Sequence, residues 1–159
     1  VESFSSKLND VLVDTFGNIL KFEEDLLKSS ANTDLSISEM HLLEDVGKNK
    51  PDGKTISDLA ASQKITLPSV TIAINKLVKK GYVVKEKSKM DGRVVYVRLT
   101  DKGLRIDKIH QYFHMKMVKE ITEQMTDDEK EVLIRGMEKL NDFFTKKISR
   151  LEKQKVTTP

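Results

Sequence analysis

The stretch "TISDLAASQKITLPSVTIAINKLVKKG", Thr55 to Gly81, constrains the fold of this chain more than any other. Thr55 is placed to cap a helix from Ile56 to about Gln63, and Asp58 at the third helical position completes a capping box. Leu59 and Ala60 share its inward face. Only Lys64 and Ile65 separate this helix from the next, which Thr66 caps and which carries Pro68 in its first turn, where a missing N–H costs nothing. The second helix runs to Lys80 and stops at Gly81. Its apolar stripe is Val70, Ile74 and Leu77, which leaves Leu67, Ser69, Thr71, Ile72, Asn75, Lys76 and Lys79 on the outside. Small Ala60 lies where the two helices must approach, and Ile65 is expected to plug the gap at the corner.

The segments on either side extend this pattern. "YVVKEK" and "RVVYVRLT" are rich in β-branched and aromatic residues and flank "SKMDG", so they predict a β-hairpin whose turn is supplied by Asp91-Gly92. Upstream, Phe4, Leu8, Val11, Leu12, Phe16, Ile19, Leu20, Leu26 and Leu27 keep helical spacing from Phe4 to Leu27. "KSSANTDLS" reads as a loop, after which Ser36 or Ser38 caps a short helix through Val46, closed by Gly47 and "KNKPDG". Downstream, one long helix is predicted from Asp101 to about Gln124 and another, behind the capping sequence "TDDE", from Asp127 to about Leu151. The order defines the expected fold: mainly α with a small β-hairpin wing, a winged helix-turn-helix flanked by N- and C-terminal dimerisation helices. Residues 1–159 are read as a single domain, with the winged lobe at 36–103, dimerisation helices in 1–35 and 104–151, and a flexible tail at 152–159. A homodimer is expected because one small lobe offers too little surface to cover the apolar stripes of the terminal helices.

Charge narrows the function. The chain carries +3 overall, but residues 1–63 are net −6, residues 64–105 net +8 and residues 106–159 net +1. Positive charge concentrated on the second helix and the hairpin points to a polyanion, nucleic acid first and an anionic membrane surface second. The chain has no cysteine, which excludes a disulfide framework, a thiolate metal site and a cysteine nucleophile and fits a reducing cytoplasm. No apolar run approaches the roughly 20 residues needed to span a bilayer, and the polar start at Val1 does not resemble a signal peptide, so the expected location is cytoplasmic. The sequence contains no Gly-rich phosphate loop, no histidine pair around a glutamate and no convergent Ser, His and Asp set. An enzyme is therefore not expected, nor a cofactor.

From Leu59 to Gly103, "LA…IT.PSVT..INKLVKKGYV" followed by "DGRVVYVRLTDKG" resembles the recognition helix and wing of the MarR family of bacterial transcription regulators, and the resemblance extends over nearly the whole chain. Its most specific part is Asp91-x-Arg93 with Leu99-Thr100-x-Lys102-Gly103. Within that family, "SISEMHLL", "ITLPSVT" and "HQYFH" are similar to repressors of bacterial fatty-acid synthesis. Two positions depart from the pattern: Lys64 stands where many members have Gly, and Ile72 where many have a polar or basic residue.

The resemblance implies binding of double-stranded DNA at a pseudo-palindromic operator, by a dimer that presents two recognition helices. Capped by Thr66, the helix would enter the major groove with Ser69, Thr71 and Asn75 at base edges or phosphates and Leu67, Pro68 and Ile72 against thymine methyls. Lys76, Lys79 and Lys80 would hold the backbone. On the wing, Lys87 and Lys89 would follow phosphates while Arg93 reaches the minor groove, held extended by pairing with Asp91. The bland alternative is a solvated lysine face beside an ordinary Asp-Gly turn. A membrane-surface or protein-interaction module is the rival from another class.

Family members usually take effectors in a cleft between the terminal helices and the DNA-binding lobe. Here that cleft would be lined by Phe16, Ile19, Phe22, His41, Ile109, His110, Phe113 and His114. Similarity to the fatty-acid repressors implies an acyl chain delivered on acyl carrier protein as corepressor; a small apolar ligand is the simpler form of the same expectation. His110 and His114 lie one helical turn apart with Asp107 on the same face, and zinc-responsive members of the family are similar here. No metal site is expected, but the alternative ligand set is Glu24 (or its neighbour Glu23), His41, His110 and His114, which would make the chain a metal-responsive regulator.

Overall fold

A computed structural model describes residues 3–29 and 33–156. In chain order the elements are α1 (Phe4–Ser29), α2 (Ile37–Gly47), β1 (Lys54–Thr55), α3 (Ile56–Gln63), α4 (Leu67–Lys79), β2 (Val83–Lys87), β3 (Val95–Leu99), α5 (Asp101–Thr122) and α6 (Asp127–Val156). The chain falls into two compact units, Val1–Tyr112 and Phe113–Pro159, and α5 runs from the first into the second. The expected winged helix-turn-helix is present, in the first unit.

Each short helix begins where its local chemistry says it should. Ser36 and Thr55 both form complete capping boxes, with Glu39 and Asp58 returning a carboxylate to the cap N–H, and Thr66 caps α4 just before Pro68. α2, α3 and α4 enclose the core with the base of the sheet, where Met40, Leu43, Leu59, Val70, Ile74, Leu77, Tyr82, Val83 and Val97 are buried. The three-stranded antiparallel sheet has the order β1-β3-β2, with Thr55 opposite Tyr96 and Lys85 opposite Val97. β1 has only two residues, too few for alternation to reveal it in the sequence.

Four local expectations need correction. Gly47 does not close α2 in a left-handed turn: the helix includes it, and the cap Lys48 is right-handed. The glycine is needed for space, because a Cβ there would lie 2.7 Å from Oδ2 of buried Asp107. Ile65 does not plug the corner between α3 and α4 but stands 47% exposed, while Leu59 on α3 and Val70 on α4 are fully buried. The wing turn is not a two-residue Asp-Gly turn: Val94 N–H donates to Asp91 O at 3.0 Å, so Gly92 and Arg93 are the central residues, and neither has a left-handed φ. Finally, α6 continues through Val156 into the segment expected to be a flexible tail, in keeping with the helix-forming Glu152, Lys153, Gln154 and Lys155. The last three residues of that segment lie outside the described ones, as do Ser30, Ala31 and Asn32 of the predicted loop.

In the second unit, Thr126 and Glu129 exchange hydrogen bonds at the start of α6, the box anticipated from "TDDE". Val132, Ile134, Met137, Phe143, Phe144, Ile148 and Leu151 are exposed along α6, and Phe4, Val11, Phe16, Leu20 and Phe22 along α1.

Candidate nucleic-acid interface

The corner between α3 and α4 is made by Lys64, which caps α3 at φ 54° and ψ 39° and donates its N–H to the carbonyls of Ala60 and Ala61. A left-handed residue with a Cβ costs about 1 to 2 kcal/mol, so the buried stripe must hold this conformation. Val70, Ile74 and Leu77 are fully buried, and the opposite face of α4 is open: Thr66, Leu67, Pro68, Ser69, Ile72, Asn75, Lys76 and Lys79 are exposed, and Thr71 half-buried. Leu67 and Ile72, more than half exposed, give that face an apolar component suited to methyl groups. Thr71 donates its hydroxyl to Leu67 O at 2.8 Å, which leaves its oxygen as an acceptor. No ion pair engages Lys76 or Lys79 among the described residues. Lys80 is different. It donates to Glu39 Oε2 at 2.8 Å and Asp34 O at 2.7 Å, so it fastens α4 to α2 and is not available to a phosphate as the sequence suggested. Burial alone would raise the Glu39 carboxyl, but the Lys80 ammonium and the Ser36 cap hold it below the usual range; Lys80 is raised, first by its hydrogen bond to Glu39.

The wing tip is fastened by side-chain acceptors. Ser88 Oγ accepts the N–H groups of Met90 and Asp91 at 3.2 and 3.3 Å, and Asp91 Oδ1 accepts the N–H of Arg93 at 2.9 Å. Asp91 thus positions Arg93 through the backbone, and among the described residues no ion pair joins it to the guanidinium. Lys87, Lys89 and Arg93 are exposed on this projection, with Arg98 held back by Glu86 at 2.9 Å.

The "LTDKG" signature has a structural explanation at the base of the wing. Thr100 Oγ1 donates to Gly81 O at 2.7 Å and accepts the N–H of Gly103 at 3.1 Å, which caps α5 against the exit of α4. Lys102 donates to Lys80 O and lies 4.0 Å over the Tyr82 ring. At Gly103 a Cβ would stand 2.1 Å from Tyr82 O, so only glycine lets α5 start there. Tyr82 in turn reaches Thr33 and Asp34 at 3.0 and 2.9 Å.

Two further buried carboxylates brace the lobe. Asp45 takes Lys54 at 2.8 Å and the Ser62 hydroxyl; burial opposes its charge, but these partners hold its pKa below the usual range. Asp107, fully buried, accepts from Lys50 at 2.7 Å and from Gln111.

The histidines divide. Glu23, His41 and His110 bring three ligand atoms within 4.8 Å of one another, with Glu23 and His110 buried and His41 half-buried. His41 Nε2 lies 3.3 Å from Glu23 Oε2, and His110 Nδ1 lies 3.7 Å from Glu44 Oε2. Glu24, named from the sequence, is instead exposed and paired with Lys28. The helical phase could have decided this, because Glu23 stands four residues before Leu27 on the buried stripe of α1 and Glu24 does not. His114 belongs to the second unit, where its ring meets Phe113 edge to face at 5.9 Å. Of the expected effector-cleft residues, Phe16, Ile19, Phe22 and Ile109 are exposed in the single chain. Lys50, whose partner is 57 positions away, escaped sequence reasoning altogether, and Lys85, expected with the other hairpin lysines along phosphates, instead donates to Asn75 Oδ1 at 2.6 Å.

A short corner between two capped helices, an outward helix face beside a basic hairpin, and a third helix bolted beneath them define a winged-helix regulator. The chain belongs to the MarR family of winged-helix transcriptional regulators. Residues 26–109 match the family model described as transcriptional regulator SarA/Rot. The crystal structure of Streptococcus pneumoniae FabT in complex with DNA is similar, with a TM-score of 0.85 and 37% identity, covering 89% of this chain and 98% of that one. The transcriptional regulator ZitR of Lactococcus lactis subsp. cremoris (strain MG1363) is 27% identical over 141 residues, 83% of this chain and 95% of that protein. The HTH-type transcriptional regulator YhjH of Bacillus subtilis (strain 168) is 27% identical over 90 residues; the match takes 57% of this chain and spans 50% of YhjH. No helix among the described residues is long and apolar enough to cross a membrane.

Proposed function

We propose that the protein is a cytoplasmic, homodimeric, sequence-specific repressor that binds double-stranded DNA at a pseudo-palindromic operator. The observation that carries this reading is the exposed face of α4 beside the wing, where Lys76, Lys79, Lys87 and Lys89 enter no ion pair among the described residues. α4 would lie in the major groove through Thr66, Pro68, Ser69, Thr71, Ile72, Asn75, Lys76 and Lys79, and the wing would follow the backbone through Lys87, Lys89, Asp91 and Arg93. FabT, solved with DNA, supports this partner. Similarity of "SISEMHLL", "ITLPSVT" and "HQYFH" to fatty-acid-synthesis repressors supports genes of that pathway as targets, with an acyl chain on acyl carrier protein as effector near Phe16, Ile19, Phe22, His41 and Ile109. Fluorescence anisotropy with duplex DNA set against anionic vesicles tests the partner class: salt-sensitive binding of duplex is expected, and binding of vesicles alone would sink it.

The exposed apolar rows of α1 and of α6, each of which a second copy can cover, support the dimer. Light scattering at micromolar concentration is expected to give the dimer mass. A stable monomer would remove both the dimer and the pseudo-palindrome.

One observation favours a second reading, a zinc-responsive regulator. Two imidazoles and a carboxylate are a fitting donor set, and bonds of about 2.0 Å would require the cluster to contract by roughly an ångström. Glu23, His41 and His110 would hold the ion, which would tie α1, α2 and α5 together. The expected result is the first reading's: no stoichiometric zinc by elemental analysis and unaltered melting on zinc addition. A zinc-dependent rise in melting temperature that Glu23→Gln and His110→Ala abolish would instead establish the second.

A further inference from the structure

Lys85 occupies a position where its strand faces the core. Cross-strand partners point to the same side of a sheet, and on this side of β2 and β3 Val83 lies opposite Leu99 and Lys85 opposite Val97, with Val83 and Val97 buried. Lys85 is nevertheless exposed, and its side chain meets Asn75 on α4, donating to Oδ1 at 2.6 Å. Both residues are exposed, so in water this hydrogen bond contributes little to stability. Its consequence is orientation. An ammonium offers only donors, so it favours the amide orientation with the oxygen toward Lys85 and the NH2 group away from it.

This matters for what α4 can read, because Asn75 lies on the outward face, with buried Ile74 beside it in the sequence. An asparagine that recognises adenine uses both halves of its amide, accepting from N6–H and donating to N7. Oδ1 keeps a second lone pair, but the ammonium 2.6 Å from it disfavours a further positive donor such as adenine N6–H on the same side. Guanine presents two acceptors in the major groove, O6 and N7, and thymine presents O4. We propose that Lys85 is a positioning residue which turns Asn75 toward use of its N–H donors, so that Asn75 prefers an acceptor edge, guanine O6/N7 or thymine O4, to adenine. The inference rests on the DNA-binding reading above and adds a base preference to it.

The test begins with operator duplexes enriched from a randomised library by the wild-type chain. Anisotropy titrations then compare wild type, Lys85→Met and Asn75→Ala on the enriched duplex and its single-pair variants. Wild type is expected to prefer guanine or thymine to adenine by about tenfold at one position in each half-site. Asn75→Ala removes that preference. Lys85→Met reduces it to about twofold or less, or turns it toward adenine, and leaves the other positions of the site unchanged. A lysine that only touches phosphate behaves differently: its loss lowers affinity for every duplex alike and flattens the salt dependence. That result for Lys85→Met, or an Asn75→Ala protein with wild-type preferences throughout, overturns the proposal while leaving DNA binding intact. A wild-type chain that binds no duplex overturns both readings.

Discussion

Replacing Arg93 by alanine is expected to weaken operator binding by about 1 to 3 kcal/mol without altering dimerisation. Arg93 is exposed at the tip of the wing, and on the proposed reading its guanidinium would reach a minor groove, whose negative potential is enhanced where it is narrow and A·T-rich. Asp91→Ala is expected to cost less. The carboxylate acts on Arg93 through the backbone, by accepting its N–H at 2.9 Å, so its removal loosens the turn that aims the arginine. Once Arg93 is gone that aim has no use, and the double mutant is expected to be less than additive, with the loss of a negative charge near phosphates even offsetting part of the cost. Lys87→Ala and Lys89→Ala should lower affinity for every sequence and each reduce the salt slope by up to about one unit. Unchanged operator affinity for Arg93→Ala would reduce the wing to a solvated edge.

The second large effect concerns stability. Alanine in place of glycine near the start of a helix ordinarily gains about 0.5 to 1 kcal/mol; at Gly103 the sign reverses. The new Cβ would stand 2.1 Å from the Tyr82 carbonyl oxygen, which itself accepts from Thr100 N–H at 3.0 Å and Thr100 Oγ1 at 3.1 Å. Relief requires α5 to rise off the lobe and break these bonds, at an expected cost of about 3 kcal/mol. At about 2 to 4 °C per kcal/mol for a chain of this size, the melting temperature should fall by roughly 6 to 12 °C. Gly92→Ala serves as the control, since nothing lies within 4 Å of its added Cβ and its φ is not left-handed. Equal melting of the two variants would refute this account of the "LTDKG" signature.

How much of this was legible depended on the range over which each signal acts. Caps are local, so Ser36, Thr55 and Thr66 announced three helices correctly, and the stripe Val70, Ile74, Leu77 announced the buried face of α4. The hairpin was legible too, although not its turn, because Asp-Gly is compatible with several turns and only the hydrogen bond to Val94 decides among them. Lysines were read less well. Lys76, Lys79 and Lys80 look alike in sequence, yet Lys80 is taken by Glu39, 41 positions away, and Lys85 by Asn75 across an element boundary. Which cation is spare and which is committed is a long-range property that no window of sequence contains. The pairing of Glu23, rather than Glu24, with the histidines was recoverable from helical phase, and the space that Asp107 needs over Gly47 was not.

The sheet order β1-β3-β2 leaves β2 as an outer strand, and among the described residues nothing pairs with its far side. An open strand edge invites self-association, and Lys85, Glu86 and Lys87 are the kind of residues that discourage it, since a second such strand would bring like charges together on leaving water. Lys87, proposed to meet DNA, and Lys85, proposed to orient Asn75, therefore also guard solubility when no DNA is present. Neutralising both at once removes two functions together, and aggregation of such a variant would reveal the second before any loss of operator binding could be measured.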